Sequence, residues 1–304
     1  MAESTQSLWG AVDPVVRKHY NVGKNIDAKA KSQFKKIFKA TKGRESVRKS
    51  MEWGTPGQVG LKPENAAFDE FNIKHGSDKT ILYAVYGGRM TLSMELVRDS
   101  KVKEIEKAAE SIGESITCTP NYLAAGYLEN AFDASEPATA DGKALCSSSH
   151  LIIQTNASTG RNTLASGAAL DETSLEAVMT SLRTTTMSNG MIQPLMGKKL
   201  VVPSGLHNLA TKLNRSKNTL GSANNDPSVV NGIEVCTFDY LTDQNNWFVL
   251  TNKNEQDGLF WEWDIESQFE EDNSPSTWQK VYIGLFRSRW GVDDWRCIYG
   301  SEVS

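Results

Sequence analysis

The chain has 304 residues, and its 33 Lys+Arg and 37 Asp+Glu give a formal net charge of −4. Hydrophobic residues make up 39 % and charged residues 23 %, values typical of a soluble globular protein with one or two cores. The longest unbroken apolar run covers only residues 81–86, which excludes a membrane-spanning helix. The first residues lack the basic start and following apolar stretch of a signal peptide. We therefore expect the chain in the cytoplasm of the cell that makes it.

Charge is divided unevenly along the chain. Residues 1–50 hold 12 Lys+Arg and 4 Asp+Glu, whereas the remainder holds 21 and 33. A basic arm on an acidic body is typical of a chain that binds nucleic acid, an acidic membrane or a second copy of itself. The alternative is that the basic residues are simply exposed to solvent and bind no partner. Because the acidic remainder would repel phosphates and no aromatic stacking platform accompanies the arm, we do not expect a dedicated reader of DNA or RNA.

The arm, residues 1–56, has the pattern of an extended segment with one short helix. Asp27 can cap this helix and Gly43 can end it. Three apolar residues between them fall at helical spacing: Phe34, Ile37 and Phe38. This stripe is a small anchor for a membrane, so we expect it to pack on a neighbouring protein surface.

A long hairpin is predicted after the arm. Two extended runs, residues 66–75 and 80–86, flank a turn signal at residues 76–78. An isolated two-stranded hairpin is marginally stable in water, so we expect this one to lean on another part of the assembly.

The strongest helical pattern of the sequence comes next. Apolar residues recur at steps of three and four between Val97 and Ile116. Thr119 and Pro120 predict a cap and first turn from which a helix restarts and continues to Ala131. If the two segments are collinear, about 35 residues at 1.5 Å each give a spine of roughly 50 Å.

The middle of the chain changes composition. Residues 133–170 are rich in Ala, Ser, Thr, Gly and Asn, which predicts a long surface loop. Thr173 and Glu176 then predict the capping box of a helix, and another helix is expected near residues 207–213.

The last third is rich in predicted strands. Residues 229–235 have a hairpin signature, and residues 247–250 and 259–265 predict a further strand pair. Alternation in the latter run places Trp261, Trp263 and Ile265 on one face and three acids on the other: Glu262, Asp264 and Glu266. Residues 278–299 are strand-rich, with Arg287 and Arg289 on one face. The order of elements predicts an α+β fold without repeated βαβ units.

Few residues carry chemistry. The four cysteines form no Cys-x-x-Cys or Cys/His cluster, so we expect no zinc site and thiols that act as small buried hydrophobes. Cys146 and His150 are the nearest approach to a nucleophile and base, and coincidence explains the pair better than hydrolysis does. The acidic strand face could bind a hard cation, but a solvated or partner-facing surface is the preferred interpretation. By elimination, the sequence indicates a structural or assembly protein.

Six short segments within residues 57–300 follow one another in an order that is typical of a known family. They are Gly88-Arg-Met-Thr-Leu-Ser-Met-Glu-Leu-Val-Arg-Asp99, Asn130-Ala-Phe-Asp133, Asp141-Gly-Lys-Ala-Leu-Cys-Ser-Ser-Ser-His150, Leu200-Val-Val-Pro-Ser204, Asn224-Asn-Asp-Pro-Ser-Val-Val230 and Trp290-Gly-Val-Asp-Asp-Trp-Arg296. In this order they resemble the major capsid (head) protein of tailed bacteriophages, and more narrowly the Mu-like major head subunit branch. The resemblance implies a Hong Kong 97-type fold. Its parts would be an N-terminal arm at 1–56, an E-loop hairpin at 57–92, a P domain with spine helix and following loop at 93–170, an A domain at 171–255 and return strands, mainly of the P domain, at 256–304.

The resemblance also implies a function. Hexamers and pentamers of a non-enzymatic subunit, without catalytic residues, cofactor or metal, would close the icosahedral head around double-stranded DNA. Assembly would take place in the host cytoplasm, without a membrane and with only non-specific proximity to DNA. The implied partners are a portal, a scaffolding protein made separately (because no long segment precedes the arm) and, in some relatives, a decoration protein. An encapsulin-like nanocompartment, which shares the fold and encloses protein cargo, is the alternative.

We further predict contacts between subunits. Basic arm residues are expected to meet the acidic strand face of a neighbour, because both are exposed in a monomer and opposite in charge: Lys35, Lys36, Lys39, Arg44 and Arg48 with Glu262, Asp264 and Glu266. Some relatives crosslink an E-loop lysine to an asparagine of a neighbour. The lysines in the matching region are Lys62, Lys74 and Lys79, and an ordinary solvated lysine is the alternative for each.

Overall fold

A computed structural model describes residues 5–25, 32–54, 56–65, 67–68, 70, 75–99, 102–152, 157–215, 232–274 and 279–303. Within them the helices are α1 (Thr5–Asn25), α2 (Met94–Arg98), α3 (Val102–Glu129), α4 (Glu172–Arg183), α5 (His207–Arg215) and α6 (Asn254–Asp257). The strands are β1 (Lys39–Lys42), β2 (Val47–Trp53), β3 (His75–Leu82), β4 (Ala84–Ser93), β5 (His150–Ile152), β6 (Ala157–Gly160), β7 (Gly197–Val202), β8 (Glu234–Thr237), β9 (Trp247–Thr251), β10 (Leu259–Ser274), β11 (Gln279–Val292) and β12 (Ile298–Ser301). Helices and mainly antiparallel sheets alternate irregularly, which confirms the predicted α+β class.

The larger sheet is built from both ends of the chain, in the order β1–β10–β11–β4. β10 and β11 form a long antiparallel hairpin, and β4 pairs with the far side of β11. β1 lies parallel to β10, with Lys42 opposite Trp263. The predicted tryptophan face of β10 forms the core beneath this sheet, where Trp261 stacks on Trp290 with ring centroids 4.7 Å apart.

The N-terminal segment is not the extended arm that its sequence predicts, because it contains the 21-residue helix α1. This helix packs along α3 at a close crossing of two glycines. A Cβ on Gly23 would lie 2.0 Å from the Glu110 carbonyl oxygen, and one on Gly113 would lie 2.2 Å from that of Tyr20. His19 adds a polar contact, its Nδ1 2.7 Å from Glu110 Oε1. The segment is therefore docked on the long helix of its own chain.

The prediction of a short helix in the arm is also wrong. Only one 3₁₀ turn forms, Gln33–Lys36, and strand β1 follows it, while Asp27 lies outside the described residues. The three apolar residues of the predicted stripe are at most 2 % exposed within their own chain: Phe34, Ile37 and Phe38. The ring of Phe34 lies 4.9 Å from that of Trp261, so the stripe completes the internal core and leaves no apolar face for a neighbour.

The predicted spine is one continuous helix, α3, of 28 residues and thus about 42 Å in length. Collinearity is confirmed, but the restart predicted at Thr119 and Pro120 is wrong, because the helix passes through Pro120. Proline removes one backbone donor at this point. The Thr119 hydroxyl donates to the Ser115 carbonyl oxygen at 2.7 Å, one turn earlier.

The projecting hairpin consists of β2 and β3. Ser50 lies opposite Lys79, so the turn predicted at residues 76–78 is wrong: these residues belong to β3. Residues 84–93 leave the hairpin and enter the larger sheet as β4. The far end of the hairpin is the connection between β2 and β3, where Leu61 and Phe68 are 97 % and 78 % exposed.

Residues 133–170 are not the surface loop that their composition predicts. They contain β5 and β6, and several of their side chains are buried: Leu145, Cys146, His150, Ile152, Asn162 and Leu170. The Cys146 amide donates to the Ala131 carbonyl oxygen at 2.7 Å, which fixes the segment against the end of α3.

The second sheet has the order β12–β9–β7–β8 and packs with α4 and α5 around its own core, which includes Val178, Val202 and Trp247. The helix expected near residues 207–213 is confirmed by α5. The pairing predicted between residues 247–250 and 259–265 is wrong, because β9 and β10 belong to different sheets. β8 pairs parallel with β7, and residues 229–231 of the predicted hairpin lie outside the described residues.

The cap of α4 differs from the predicted capping box. Asp171 Oδ1 accepts a hydrogen bond from the Ser174 amide at 2.6 Å, and Ser174 Oγ accepts one from the Asp171 amide at 3.0 Å. The box at Thr173 and Glu176 is therefore wrong, although the same reciprocal arrangement forms two residues earlier.

Candidate assembly surface

A buried carboxylate joins the N-terminal segment to the two long C-terminal strands. Glu262 on β10 lies directly opposite Arg289 on β11, whose Nε donates to Glu262 Oε2 at 2.7 Å. Arg48 on β2 donates to the other carboxylate oxygen and to Asp293. The side chains of Arg289 and Glu262 are only 2 % and 10 % exposed. We call these four residues the Glu262 cluster.

The pairing continues at the surface beside this cluster. Arg287 Nη1 lies 2.9 Å from Asp264 Oδ2, and both side chains are about 40 % exposed. The guanidinium groups of Arg287 and Arg289 stand 5.3 and 4.2 Å from the centre of the Tyr83 ring. This confirms that the two arginines share a face. An exposed pair such as Arg287 and Asp264 contributes about 0–1 kcal/mol.

The basic segment and the acidic strand face meet within one chain. Arg48 binds Glu262, and Lys35 Nζ lies 3.9 Å from Glu266 Oε1 at the surface. The expectation that Glu262 is exposed in a monomer is wrong, because strands of the same chain cover it. Asp264 and Glu266 are exposed as expected. A role of these residues between subunits stays a prediction.

The other predicted arm residues have different surroundings. Lys39 Nζ donates to the Glu255 carbonyl oxygen at 3.0 Å, and the Lys36 carbonyl oxygen accepts from Lys199 Nζ at 3.1 Å. Arg44 is exposed and has no side-chain partner within the described part of the chain. Arg44 is therefore the predicted contact residue that the fold of the single chain leaves most available.

The three candidate crosslinking lysines also differ in how exposed they are and in what they contact. Lys62 is exposed in the loop of the hairpin, 4.6 Å from the centre of the exposed Phe68 ring. Lys74 lies outside the described residues. Lys79 is half-buried and donates to the carbonyl oxygens of Pro137 and Ala138, and this burial lowers the pKa of its amine. Lys79 anchors the hairpin to the body of its own chain.

Sequence reasoning missed a buried polar network around His150. The His150 ring stacks on Trp295 with centroids 4.5 Å apart, and its Nδ1 lies 2.9 Å from Asp141 Oδ2. Asn162 Oδ1 lies 3.1 Å from the other ring nitrogen. The Asn162 amide nitrogen donates to three carbonyl oxygens, those of Leu145, Trp295 and Ile298. The network fastens residues 133–170 to the C-terminal strands. Its only sequence signal is the presence of titratable residues in a segment dominated by small ones.

The Asp141 carboxylate gives this network a pH dependence. Burial raises the pKa of Asp141, but hydrogen bonds from His150 and Thr139 outweigh burial and hold the pKa well below its usual range. A carboxylate of this kind stabilises the fold above the unfolded-state pKa of about 3.9 and loses that contribution as the pH falls.

We therefore expect Asp141→Asn to make the free energy of unfolding depend less on pH between about 5 and 2. Urea denaturation at a series of pH values measures this dependence. A variant whose stability falls with acid as steeply as that of the wild type would contradict the assignment.

The thiol of Cys146 is not placed for nucleophilic chemistry. Burial raises the pKa of Cys146, and both ring nitrogens of His150 contact other residues. Cys146, Cys236 and Cys297 are free, buried thiols, which confirms the predicted packing role for these three, while Cys118 is partly exposed.

Alkylation provides a test of this packing role. We expect iodoacetamide at pH 8 to label Cys118 in the folded protein and to leave Cys146 unmodified, because only a thiolate that solvent can reach reacts. Mass spectrometry of the labelled peptides measures the outcome, with the protein unfolded in urea as the control. Labelling of folded Cys146 at the rate of Cys118 would contradict its burial.

Two broader features concern membranes and metals. In the described ranges no helix is long and apolar enough to cross a membrane. Among these same residues, no group of three or more His, Cys, Asp or Glu side chains is placed to hold a metal ion.

A family model described as phage capsid protein matches residues 81–301, which is more than half of the chain and contains β4 to β12. The chain belongs to this family of phage capsid proteins. It is a structural capsid subunit, and its place is the virion, as the sequence resemblance implies. No curated protein matches the chain.

Three of the solved structures that this capsid protein resembles are capsids or procapsids. The capsid of cyanophage P-SCSP1u matches with a TM-score of 0.54 at 12 % identity, over 88 % of this chain and 86 % of that one. The capsid of the empty GTA particle matches with a TM-score of 0.54 at 13 % identity, over 88 % of each chain. The procapsid of bacteriophage JBD30 matches with a TM-score of 0.51 at 11 % identity, over 98 % of this chain and 76 % of that one. At these identities the likeness concerns the fold, and it confirms the predicted Hong Kong 97-type architecture.

Proposed function

We propose that this capsid protein is the major head subunit of a tailed double-stranded DNA bacteriophage. Copies form hexamers and pentamers that close an icosahedral shell around the genome. The observation that carries the proposal is the family match over residues 81–301, because it includes the long helix and strands of both sheets. The subunit acts by assembly and has no catalytic role.

We assign the parts of the shell subunit as follows. Helix α3 and the larger sheet form the P domain, and β10 and β11 are its return strands within residues 256–304. Residues 171–255 form the A domain, whose sheet β12 completes by pairing with β9. The hairpin of β2 and β3 is the E-loop, so this element begins within the predicted arm and ends before β4. Its exposed tip residues Leu61 and Phe68 suit contact with a second copy.

The remaining partners follow from the proposed role. A scaffolding protein, a portal and a decoration protein are the partners expected of a head subunit. Contact with DNA is non-specific. The chain outside residues 1–50 carries 33 acidic and 21 basic residues, and this excess of negative charge disfavours tight binding of phosphates.

Electron microscopy tests the proposed assembly. We expect the full chain, produced in bacteria, to form closed shells or rings of five and six copies, visible in micrographs and separable by sedimentation. A protein that stays monomeric at high concentration, both alone and in a lysate of phage-infected cells, would contradict the proposal.

The contents of purified shells distinguish the phage head from an encapsulin-like nanocompartment. Shells isolated from infected cells are expected to contain double-stranded DNA, which nuclease treatment after disruption would reveal. Shells that instead hold a stoichiometric protein cargo and no DNA would support the nanocompartment.

A further inference from the structure

One end of the larger sheet carries a positively charged cleft of about 620 Å³. It lies where β1 leads into β2, beside the Glu262 cluster, and five cations and two carboxylates line it. We call it the basic cleft. Its excess of positive charge favours an anionic occupant.

The cations of the basic cleft differ in what they already bind. Arg48 and Arg289 are both held by Glu262, and Lys49 Nζ lies 3.2 Å from Asp78. Two others, Lys42 and Arg44, are exposed and have no side-chain partner in the ranges that the structure describes. These two are available to an anion from outside the chain.

The opposite end of the same sheet is acidic. On β10, Glu271 is paired with Arg17 and Lys280, each at 3.5 Å. Its neighbours are less engaged: Glu270 meets only the amide of Gln268, and Asp272 is exposed without a side-chain partner among the described residues. We call Glu270 and Asp272 the acidic end.

The two regions are too far apart to meet within one chain. Lys42 lies opposite Trp263 on β10, and Asp272 is nine positions farther along that strand. At about 3.3 Å per residue the separation is roughly 30 Å. Among the described residues, two cations without an anionic partner and two carboxylates without a cationic partner thus stand at the two ends of one sheet.

We propose that the acidic end of one copy docks in the basic cleft of the next copy. The inference rests on the proposed function, in which copies of the chain assemble. The two patches are different surfaces of the same molecule, so the contact is heterologous, and repeated heterologous contacts close into rings when the rotation allows it. A second copy suits the cleft because, among the described residues, it offers two carboxylates that lack a cationic partner to two cations that lack an anionic one.

Charge reversal tests the contact. Lys42→Glu with Arg44→Glu, and separately Glu270→Lys with Asp272→Lys, are each expected to lower the fraction of protein in rings and shells about tenfold at low salt, because like charges then face each other. Combining all four substitutions restores opposite charges and is expected to recover assembly. Lys212→Glu, on the exposed face of α5, is the matched control and should assemble like the wild type. Unfolding midpoints of the unassembled variants verify that each chain folds.

A carbodiimide crosslink provides a second readout that does not depend on complete shells. In a mixture of ¹⁵N-labelled and unlabelled wild-type chains at high concentration, we expect a mixed-isotope peptide joining Lys42 to Glu270 or Asp272. Its absence, together with normal assembly of the charge-reversed variants, would overturn the docking and leave the proposed function intact. Normal shells of Lys42→Glu with Arg44→Glu that hold less DNA would assign the cleft to phosphates and would also overturn it. Failure of the wild type itself to assemble, with no intersubunit crosslink, would reject the proposed function.

Discussion

Replacing Glu262 with glutamine is expected to lower the free energy of unfolding of the unassembled subunit by about 3–5 kcal/mol. The amide keeps the shape of the side chain and removes its charge. Arg289, almost fully buried, then loses its only ion-pair partner in the described part of the chain, and Arg48 keeps only Asp293. A buried cation left without its counter-charge costs far more than an exposed ion pair contributes. Urea denaturation followed by tryptophan fluorescence measures the change.

Asp264→Asn is the matched control for this prediction. Asp264 lies two residues farther along the same strand and pairs with Arg287, but both side chains are about 40 % exposed. Water screens that pair, so we expect a loss of no more than about 1 kcal/mol. Equal losses in the two variants would show that burial does not set the strength of the Glu262 cluster.

Gly113→Ala is expected to destabilise the subunit by about 1–3 kcal/mol, although alanine is the better helix former. The added Cβ would stand 2.2 Å from the Tyr20 carbonyl oxygen, which belongs to the backbone of α1 and cannot rotate away. The two helices must separate, and the buried contact of Val16 and Tyr20 with α3 loosens. Hydrogen exchange of the α1 amides, together with urea denaturation, measures the effect.

Gly126→Ala is the corresponding control on the same helix. No atom outside its immediate neighbourhood lies within 4 Å of a Cβ at this position, so the substitution adds only helix propensity. We expect it to stabilise the subunit by about 0.5–1 kcal/mol. If both alanines stabilise, the glycine crossing does not limit the approach of α1 to α3.

The features that sequence predicted well depend on local periodicity. The spine follows from apolar steps of three and four, and the alternation of Trp261 and Trp263 marks a strand with one face in a core. Helix α1 carried a weaker signal: Val12, Val16 and Tyr20 recur every fourth residue, but Pro14 interrupts the pattern and a glycine lies on either side of it. The close packing of α1 on α3 depends on Gly23 and Gly113, which have no side chains. A search for periodic apolar side chains does not detect glycines of this kind.

The features that sequence missed depend on partners far along the chain. Residues 76–78 look like a turn, yet they form a strand because residues 47–53 lie alongside them. The composition of residues 133–170 is that of a loop, yet His150 is buried by Trp295, nearly 150 positions later. Glu262 seemed exposed for the same reason, since nothing near it in sequence indicates that Arg48 covers it. Local patterns cannot contain such information.

Because β1 pairs with β10, the larger sheet can form only after most of the chain has been synthesised. The two strands are separated by about 220 positions, and ribosomes add about 5–20 residues per second, so their synthesis is some 10–40 s apart. Until β10 and β11 have been made, Arg48 has no Glu262 to bind and Phe34 has no tryptophan face to cover. The cleft beside Glu262 is incomplete throughout that interval. Under the docking proposed above, only a subunit in which β10 and β11 have been made has a basic cleft to receive a neighbour.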